Sequence, residues 1–149
     1  MKYITVISMI DKSKISLQFE ELNRYLNDME GLKQLSTESF LSDQRNVYSL
    51  RYLLQVSIET CINIANHIIS RNKLGIPKEY AEVFIILNKE KIISDGLQTQ
   101  LIQMTRFRNR LVHVYWDIDD KVIFEYLHTH LNDFHQFKTA ITEFLQKST

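Results

Sequence analysis

Apolar residues recur along most of this chain at intervals of three and four positions, the spacing that puts side chains on one face of an α-helix. The first run consists of Ile15, Phe19, Leu22, Leu26 and Met29. The second run consists of Val47, Leu50, Leu54, Ile58, Cys61, Ala65 and Ile68. The last run consists of Ile123, Leu127, Phe134, Phe137, Ile141 and Phe144. These runs predict three long helices that each turn one face to a shared core.

Capping and helix-breaking residues mark where the helices begin and end. Residues 36–39 carry hydroxyls that can cap a helix, so the long second helix is predicted to start there. Gly75 ends that helix, and Pro77 predicts the start of a short third helix that runs to about Leu87, because proline fits a first turn.

A fourth long helix is predicted to begin at a cap formed by Ser94 or Asp95. Four long helices and one short helix, joined by brief loops, predict an all-α antiparallel bundle formed by a single domain, residues 1–149. Only Tyr3 to Ile10 has a composition that also suits an extended segment. The chain has just three glycines and one proline, so few turns are expected.

Composition narrows the class of protein. Hydrophobic residues make up 44% and charged residues 24% of the chain, which is typical of a folded globular domain and not of a disordered one. Eighteen basic residues balance eighteen acidic residues, so an anionic partner must be bound by a local patch and not by the overall field.

Cysteine content and the apolar start bear on the compartment. Cys61 is the only cysteine and lies within an apolar helical run, so we expect a buried structural thiol and no disulfide within the chain. The apolar start ends at Asp11, is too short to span a bilayer and has no small-residue cleavage site. These features predict a soluble cytoplasmic protein with no membrane partner.

The fourth helix has a polar residue where the core requires an apolar one. The core-facing side of this helix, with a spacing of 4, 3, 4, 3, 4, consists of Leu97, Leu101, Met104, Arg108, Leu111 and Tyr115, and Arg108 is the residue that breaks its apolar character. Arg106, Arg108 and Arg110 add three positive charges, and no acidic residue occurs from Leu97 to Trp116. This segment therefore predicts a local binding site for an anion.

Asn109 and His113 are four residues apart, so they lie one above the other on the helix and Asn109 can orient the imidazole. A structural interpretation remains open for each residue taken singly. An arginine at a core position often reaches solvent or pairs with a carboxylate on another helix, and a histidine among apolar residues is often a hydrogen-bonded core group.

The stretch RNRLVHVY resembles the Arg-Asn-x-x-x-His-x-Tyr signature of HepT-like HEPN-domain toxins, with Arg108, Asn109, His113 and Tyr115 in the four motif positions. The flanking segments CINIANHIIS, LGIPKEYAEVFIIL and YWDID are similar to the same family in the same order. The likeness covers roughly residues 10–145, and one departure is that the loop NKEKII lacks an expected glycine.

The resemblance implies an all-α bundle that forms a homodimer in which the motif helices face each other. It implies a metal-independent ribonuclease with no cofactor, which serves as the toxin of a toxin–antitoxin pair. The implied partner is an MntA-type nucleotidyltransferase antitoxin that transfers AMP to the motif tyrosine, here Tyr115. AMP would block the RNA substrate by its volume and its negative charge.

The motif residues can support RNA cleavage without a metal. Histidine titrates near neutral pH, so His113 can act as base or acid, and Arg108 can stabilise charge on the phosphate. Asn109 is expected to orient His113 or the substrate, and Arg106 and Arg110 to bind substrate.

Tyr115 follows Arg108 by seven residues, so a continuous helix would present both on one side, with Tyr115 contacting a phosphate or a base. A homodimer would supply two histidines, and the products would be a 2′,3′-cyclic phosphate and a 5′-hydroxyl. The alternative function is a non-catalytic module that binds nucleotide or RNA, or docks a nucleotidyltransferase. A plain helical scaffold would leave the motif unexplained.

Three further groups of polar residues could form a metal site or extend the motif. His128, His130 and His135 have spacings that do not match the His-x-x-x-His pattern of zinc ligands, so no metal is expected. Asp117, Asp119 and Asp120 are interpreted as a capping and turn cluster and not as a magnesium site. The last group is a polar stripe with members four residues apart, Glu59, Asn63 and His67. It indicates a solvated helix face or, alternatively, a second polar layer behind the motif.

Overall fold

The structure, a computed structural model, describes residues 10–147, which form six α-helices and no strand. In chain order the helices are α1 (Lys12–Lys33), α2 (Thr37–Leu41), α3 (Gln44–Arg71), α4 (Glu82–Lys89), α5 (Asp95–His113) and α6 (Asp120–Gln146). A 3₁₀ turn, Tyr115–Asp117, connects α5 and α6. The predicted all-α antiparallel bundle is confirmed, while residues 3–9 of the possible extended segment lie outside the described residues.

The core lies around α3, which packs against each of the other five helices. The apolar faces predicted from the three runs are buried, apart from Phe19, which is partly buried. Aromatic pairs join the outer helices across the core: Phe40 stacks on Phe124 with ring centres 4.2 Å apart, and Phe84 meets Phe137 edge-on. Every helix within residues 10–147 is too short or too polar to cross a bilayer.

Cys61 is buried in α3, with 1% of its surface exposed, and this burial raises the pKa of its thiol. The thiol therefore stays protonated and packs as an apolar group. The predicted structural role of this cysteine is confirmed.

The predicted second helix consists of two helices, α2 and α3, so the prediction of a single helix is wrong. The Ser36 hydroxyl accepts a hydrogen bond in the first turn of α2, which is only five residues long. Asp43 then adopts an extended conformation, and its carboxylate accepts the backbone N–H of Arg45 at 2.9 Å to cap α3. Two successive caps interrupt the helix because each satisfies the free N–H groups of a new first turn.

The predicted start of the short third helix at Pro77 is wrong, because α4 begins only at Glu82. Residues 72–81 instead form a connection, in which the Lys78 backbone N–H donates to the Glu82 carboxylate at 3.0 Å. This connection leaves Tyr80 outside the helix, on the side that faces α5.

Of the two predicted caps for the fourth long helix, Ser94 is the one observed, since its hydroxyl accepts the Leu97 N–H at 3.2 Å. The far end of this helix differs from the prediction. α5 ends at His113 because Val114 leaves helical geometry with φ −136° and ψ 43°. Tyr115 therefore lies beyond the end of the helix. Its side chain is 59% exposed, so it is not part of the buried face.

The turn after α5 is fixed by Arg51 of α3. Its guanidinium donates to the carbonyl oxygens of Tyr115 and Ile118 at 3.0 and 2.7 Å, and to the Asp120 carboxylate at 2.9 Å. Asp119 caps α6 by accepting the Lys121 N–H at 2.8 Å, as expected for a capping and turn cluster.

Candidate active site

Arg108 is the centre of the candidate site, and its guanidinium is held on three sides. Nε and Nη2 both donate to Glu59 Oε2 of α3, at 2.9 and 2.5 Å. Nη1 donates to Asn109 Oδ1 at 3.1 Å, and the guanidinium carbon lies 5.0 Å from the centre of the Tyr80 ring. The side chain is 13% exposed, so these partners bind it in a largely desolvated position.

The pairing with Glu59 is the alternative that the sequence left open, in which an arginine at a core position pairs with a carboxylate on another helix. Glu59 is 49 residues away in sequence, and the Gln55 amide donates to the same carboxylate oxygen at 3.3 Å. Arginine has five N–H donors. Three of those on Arg108 are used by described residues, so an incoming phosphate can take the remaining donors and compete with Glu59 for the others.

Four of the predicted site residues line one open groove of about 820 Å³, namely Arg106, Arg108, Asn109 and His113. The groove lies between α5, the second half of α3 and the connection that carries Tyr80. A cation and an imidazole thus face a space that admits a ligand. This arrangement can bind an anion and move a proton.

His113 is exposed and is the last residue of α5. Its imidazole has no hydrogen-bond partner among residues 10–147, so the predicted contact with Asn109 does not form. Asn109 instead fixes Arg108. The imidazole is therefore free to accept or donate a proton to a ligand.

Arg110 and Tyr115 lie away from this groove. Arg110 is half exposed, and its guanidinium is 3.7 Å from the Asp117 carboxylate. Tyr115 lines another groove, of about 630 Å³, together with Tyr48 and Trp116. The prediction that Tyr115 shares a helix face with Arg108 is wrong, because the helix stops two residues earlier.

The three polar residues spaced along α3 have three different environments. Glu59 faces α5 and binds Arg108, Asn63 is exposed, and His67 is buried. The alternative of a second polar layer behind the motif therefore holds for Glu59 alone. The sequence signal for it was a carboxylate immediately after the buried Ile58, on the flank of a core-facing stripe.

His67 is a neutral hydrogen-bond acceptor at the wall of the bundle. Its Nε2 accepts the backbone N–H of Asp11 at 3.1 Å. Burial lowers the pKa of His67, and the positive charges of Lys14 and Arg71 lower it further. The imidazole therefore stays uncharged, as its acceptor role requires.

Two of the three histidines of α6, His128 and His130, have structural partners. His128 Nδ1 donates to the Phe124 carbonyl at 2.9 Å, and His130 Nδ1 lies 2.9 Å from the Asp133 carboxylate. In the part of the chain that the structure describes, no group of three or more His, Cys, Asp or Glu side chains is positioned to hold a metal ion.

Comparison with known sequences gives one consistent family. Residues 20–141 match the family model described as ribonuclease HepT-like. The tRNA nuclease HepT of Aphanizomenon flos-aquae is 30% identical over 131 residues, which are 88% of this chain and 89% of the relative. The mRNA nuclease HepT of Shewanella oneidensis is 37% identical over 88 residues, which are 59% of this chain and 66% of the relative.

Comparison with solved structures gives the same fold. The tri-AMPylated Shewanella oneidensis HEPN toxin in complex with the MNT antitoxin matches with a TM-score of 0.80 and 29% identity, over 87% of this chain and 96% of that one. The Bacillus subtilis protein YutE, a cytosolic protein of unknown function, matches with a TM-score of 0.80 over 93% of both chains. YutE is only 20% identical, so it supports the fold alone.

Proposed function

Because the chain belongs to the HepT-like ribonuclease family, we propose that it is a metal-independent ribonuclease toxin that cleaves RNA in the groove lined by Arg108 and His113. The observation that carries this proposal is the position of Arg108, whose desolvated guanidinium forms the wall of a groove that also contains an unpartnered imidazole, as judged within residues 10–147. These two groups meet the needs of cleavage at phosphorus, which are charge stabilisation and proton transfer.

In the proposed reaction, His113 removes the proton of the 2′-hydroxyl, and the 2′-oxygen attacks the adjacent phosphorus. Arg108 donates to the phosphate oxygens and stabilises the added negative charge, while Asn109 and Tyr80 keep the guanidinium plane fixed. The bond from phosphorus to the 5′-oxygen breaks, and a second imidazole protonates the leaving oxygen. The products are a 2′,3′-cyclic phosphate and a 5′-hydroxyl.

A homodimer supplies the second imidazole. Among the described residues that line the groove, one chain offers a single histidine, His113. Two copies that bring their His113 side chains to one substrate would give one base and one acid. Arg106 lines the same groove and would contact a neighbouring phosphate. Arg110 is half exposed beside Asp117 and does not line the groove, so it would contribute less to substrate binding.

The proposed partner is a nucleotidyltransferase antitoxin of the MntA type, with Tyr115 as the acceptor of AMP. One solved relative is a tri-AMPylated HEPN toxin bound to an MNT antitoxin. Tyr115 is 59% exposed in a turn that Arg51 holds, so its hydroxyl is accessible to another enzyme. AMP there adds a bulky anion two residues from His113, and so opposes RNA by volume and charge. A cytoplasmic location follows from an RNA substrate and is part of the proposal.

A second function is favoured by the Glu59–Arg108 pair. Because the charge of Arg108 is already balanced, the groove can bind nucleotide or RNA weakly and without turnover. In that case the protein is a non-catalytic module that docks its nucleotidyltransferase. Turnover separates the two functions, since both involve RNA in the same groove.

The deciding experiment is cleavage of end-labelled RNA in excess EDTA by protein whose mass shows no AMP. His113→Ala is compared with wild type and with His135→Ala, a matched control in which an exposed histidine outside this groove is removed. We expect wild type and His135→Ala to cleave, leaving cyclic phosphate ends, and His113→Ala to be inactive. Equal cleavage by His113→Ala would overturn the assignment, and binding without cleavage by wild type would favour the docking module.

A further inference from the structure

A second groove adjoins the groove that contains Arg108 and His113. It measures about 820 Å³ and lies between the first turns of α1 and the C-terminal half of α3. Asn66 lines both grooves, so they meet along α3. One extended ligand can therefore occupy the two grooves together.

Lys14 and Arg71 provide the charge of this second groove, and none of the described side chains that line it is a carboxylate. Neither cation forms an ion pair within residues 10–147. The Asp11 carboxylate, whose charge also acts on the pKa of His67, caps α1 by accepting the Lys14 backbone N–H at 3.1 Å. The groove is thus locally positive in a chain whose net charge is zero.

Helix stability explains only one of the two cations. Arg71 lies in the last turn of α3, where the helix dipole favours positive charge, but Lys14 lies in the first turn of α1, where the dipole opposes it. The charges of both cations lower the pKa of the same buried imidazole, His67, so the two cations lie near one group and repel each other. An anion between them would remove this repulsion.

The remaining wall is suited to phosphate oxygens. Asn63 and Ser70 are exposed and offer neutral N–H and O–H donors beside the two cations. Phosphate in nucleic acid is bound by this mixture of basic side chains, amides and hydroxyls.

We propose that this second groove binds the phosphate backbone of single-stranded RNA beside the cleavage site, with Lys14 and Arg71 as phosphate contacts. The inference rests on the proposed function, since it names how the substrate of that same site continues along the protein. Glu59, which holds Arg108, and Arg71 are 12 residues apart on α3, which corresponds to about 18 Å. That length spans several nucleotides. A single strand is required because in-line attack by a 2′-hydroxyl needs a nucleotide that can leave helical geometry.

The test measures binding, so that it does not depend on cleavage. The probe is a fluorescein-labelled RNA of about 12 nucleotides, 2′-O-methylated throughout so that it cannot be cut. Lys14→Gln/Arg71→Gln is compared with wild type and with Arg24→Gln/Lys89→Gln, which makes the same change in net charge at residues that line neither groove. Thermal melting checks that each variant is folded.

We expect the groove variant to bind the probe roughly tenfold more weakly. Its slope of log affinity against log salt should fall by about 1.4, from two phosphate contacts of about 0.7 each. The control variant should match wild type. With unmodified RNA, KM should rise by a similar factor while kcat stays unchanged, because neither cation lines the groove of Arg108 and His113.

Equal binding by the groove variant and wild type would overturn the inference, as would an equal loss in the control or no binding by wild type. Binding of the probe by wild type without cleavage of unmodified RNA would instead overturn the proposed catalysis. The groove inference would then be decided by the binding data alone.

Discussion

Two arginines of this bundle have similar burial and different kinds of partner. The Arg51 side chain is 20% exposed, and its hydrogen bonds go to the carbonyl oxygens of Tyr115 and Ile118 and to the Asp120 carboxylate. Two of these three acceptors belong to the backbone of the turn after α5. Arg51 therefore stabilises the backbone conformation of this turn.

Arg108 is 13% exposed, and its partners are all side chains: Glu59, Asn109 and the ring of Tyr80. It also lines an open groove. Side chains can rotate away when a stronger partner arrives, whereas a backbone carbonyl in a fixed turn cannot. The kind of partner, and not the degree of burial, thus distinguishes an arginine available to a ligand from one that holds the fold.

The strongest test of this comparison is the same substitution at both positions, beginning with Arg108→Lys. Lysine keeps the charge that pairs with Glu59 but lacks the planar fork for phosphate. We expect kcat for RNA cleavage to fall at least about 100-fold, with the free energy of unfolding lowered by only about 1 kcal/mol, because the side-chain partners of Arg108 can rearrange around an ammonium. Cleavage assays and urea denaturation measure the two effects. Retained cleavage would show that Arg108 does not stabilise the reacting phosphate.

Arg51→Lys is the matched partner and should show the opposite result. One ammonium cannot reach all three acceptors of the turn, so we expect the free energy of unfolding to fall by about 2 kcal/mol. Cleavage at a temperature where the variant is folded should stay within about threefold of wild type, less than 1 kcal/mol in the barrier. A large loss of activity in a fully folded variant would contradict the separation of the two roles.

The smallest effect is expected from Glu59→Gln, which removes the charge but leaves an acceptor for Arg108. A carboxylate next to a phosphate site repels the substrate, so we expect KM to fall about three- to tenfold. Glu82→Gln is a suitable control because Glu82 is bound to the connection before α4 and does not contact Arg108. Steady-state kinetics decide the point, and an unchanged or higher KM would mean that Glu59 does not compete with phosphate.

Local signals in the sequence were sufficient for most of the fold. The intervals of three and four predicted the long helices, and the pair Ser94 and Asp95 predicted where α5 starts, because both signals act within one or two helical turns. The same local reasoning failed where two signals compete. Ser36 and Asp43 each cap a helix, and the predicted start at residues 36–39 belongs to α2, whereas the apolar run that begins at Val47 belongs to α3.

The motif residues could be found in the sequence, but their contacts could not. Arg108, Asn109 and His113 stand out as polar residues in a core-forming helix, yet the predicted Asn109–His113 contact is replaced by one between Asn109 and Arg108. Tyr80 was missed because the connection that carries it had been predicted as helix.

By itself, the sequence determined that this chain is an all-α bundle with a polar motif at the end of one long helix. Both features follow from periodic, short-range patterns, so they can be predicted without knowing which helices pack together. Only the tertiary structure decided that Glu59 balances Arg108 and that Tyr115 leaves the helix for a separate groove. Those outcomes depend on how α3 and α5 pack side by side. They also depend on hydrogen bonds between residues that are far apart in sequence, by 49 positions for Glu59 and Arg108 and by 64 for Arg51 and Tyr115, which no local spacing encodes.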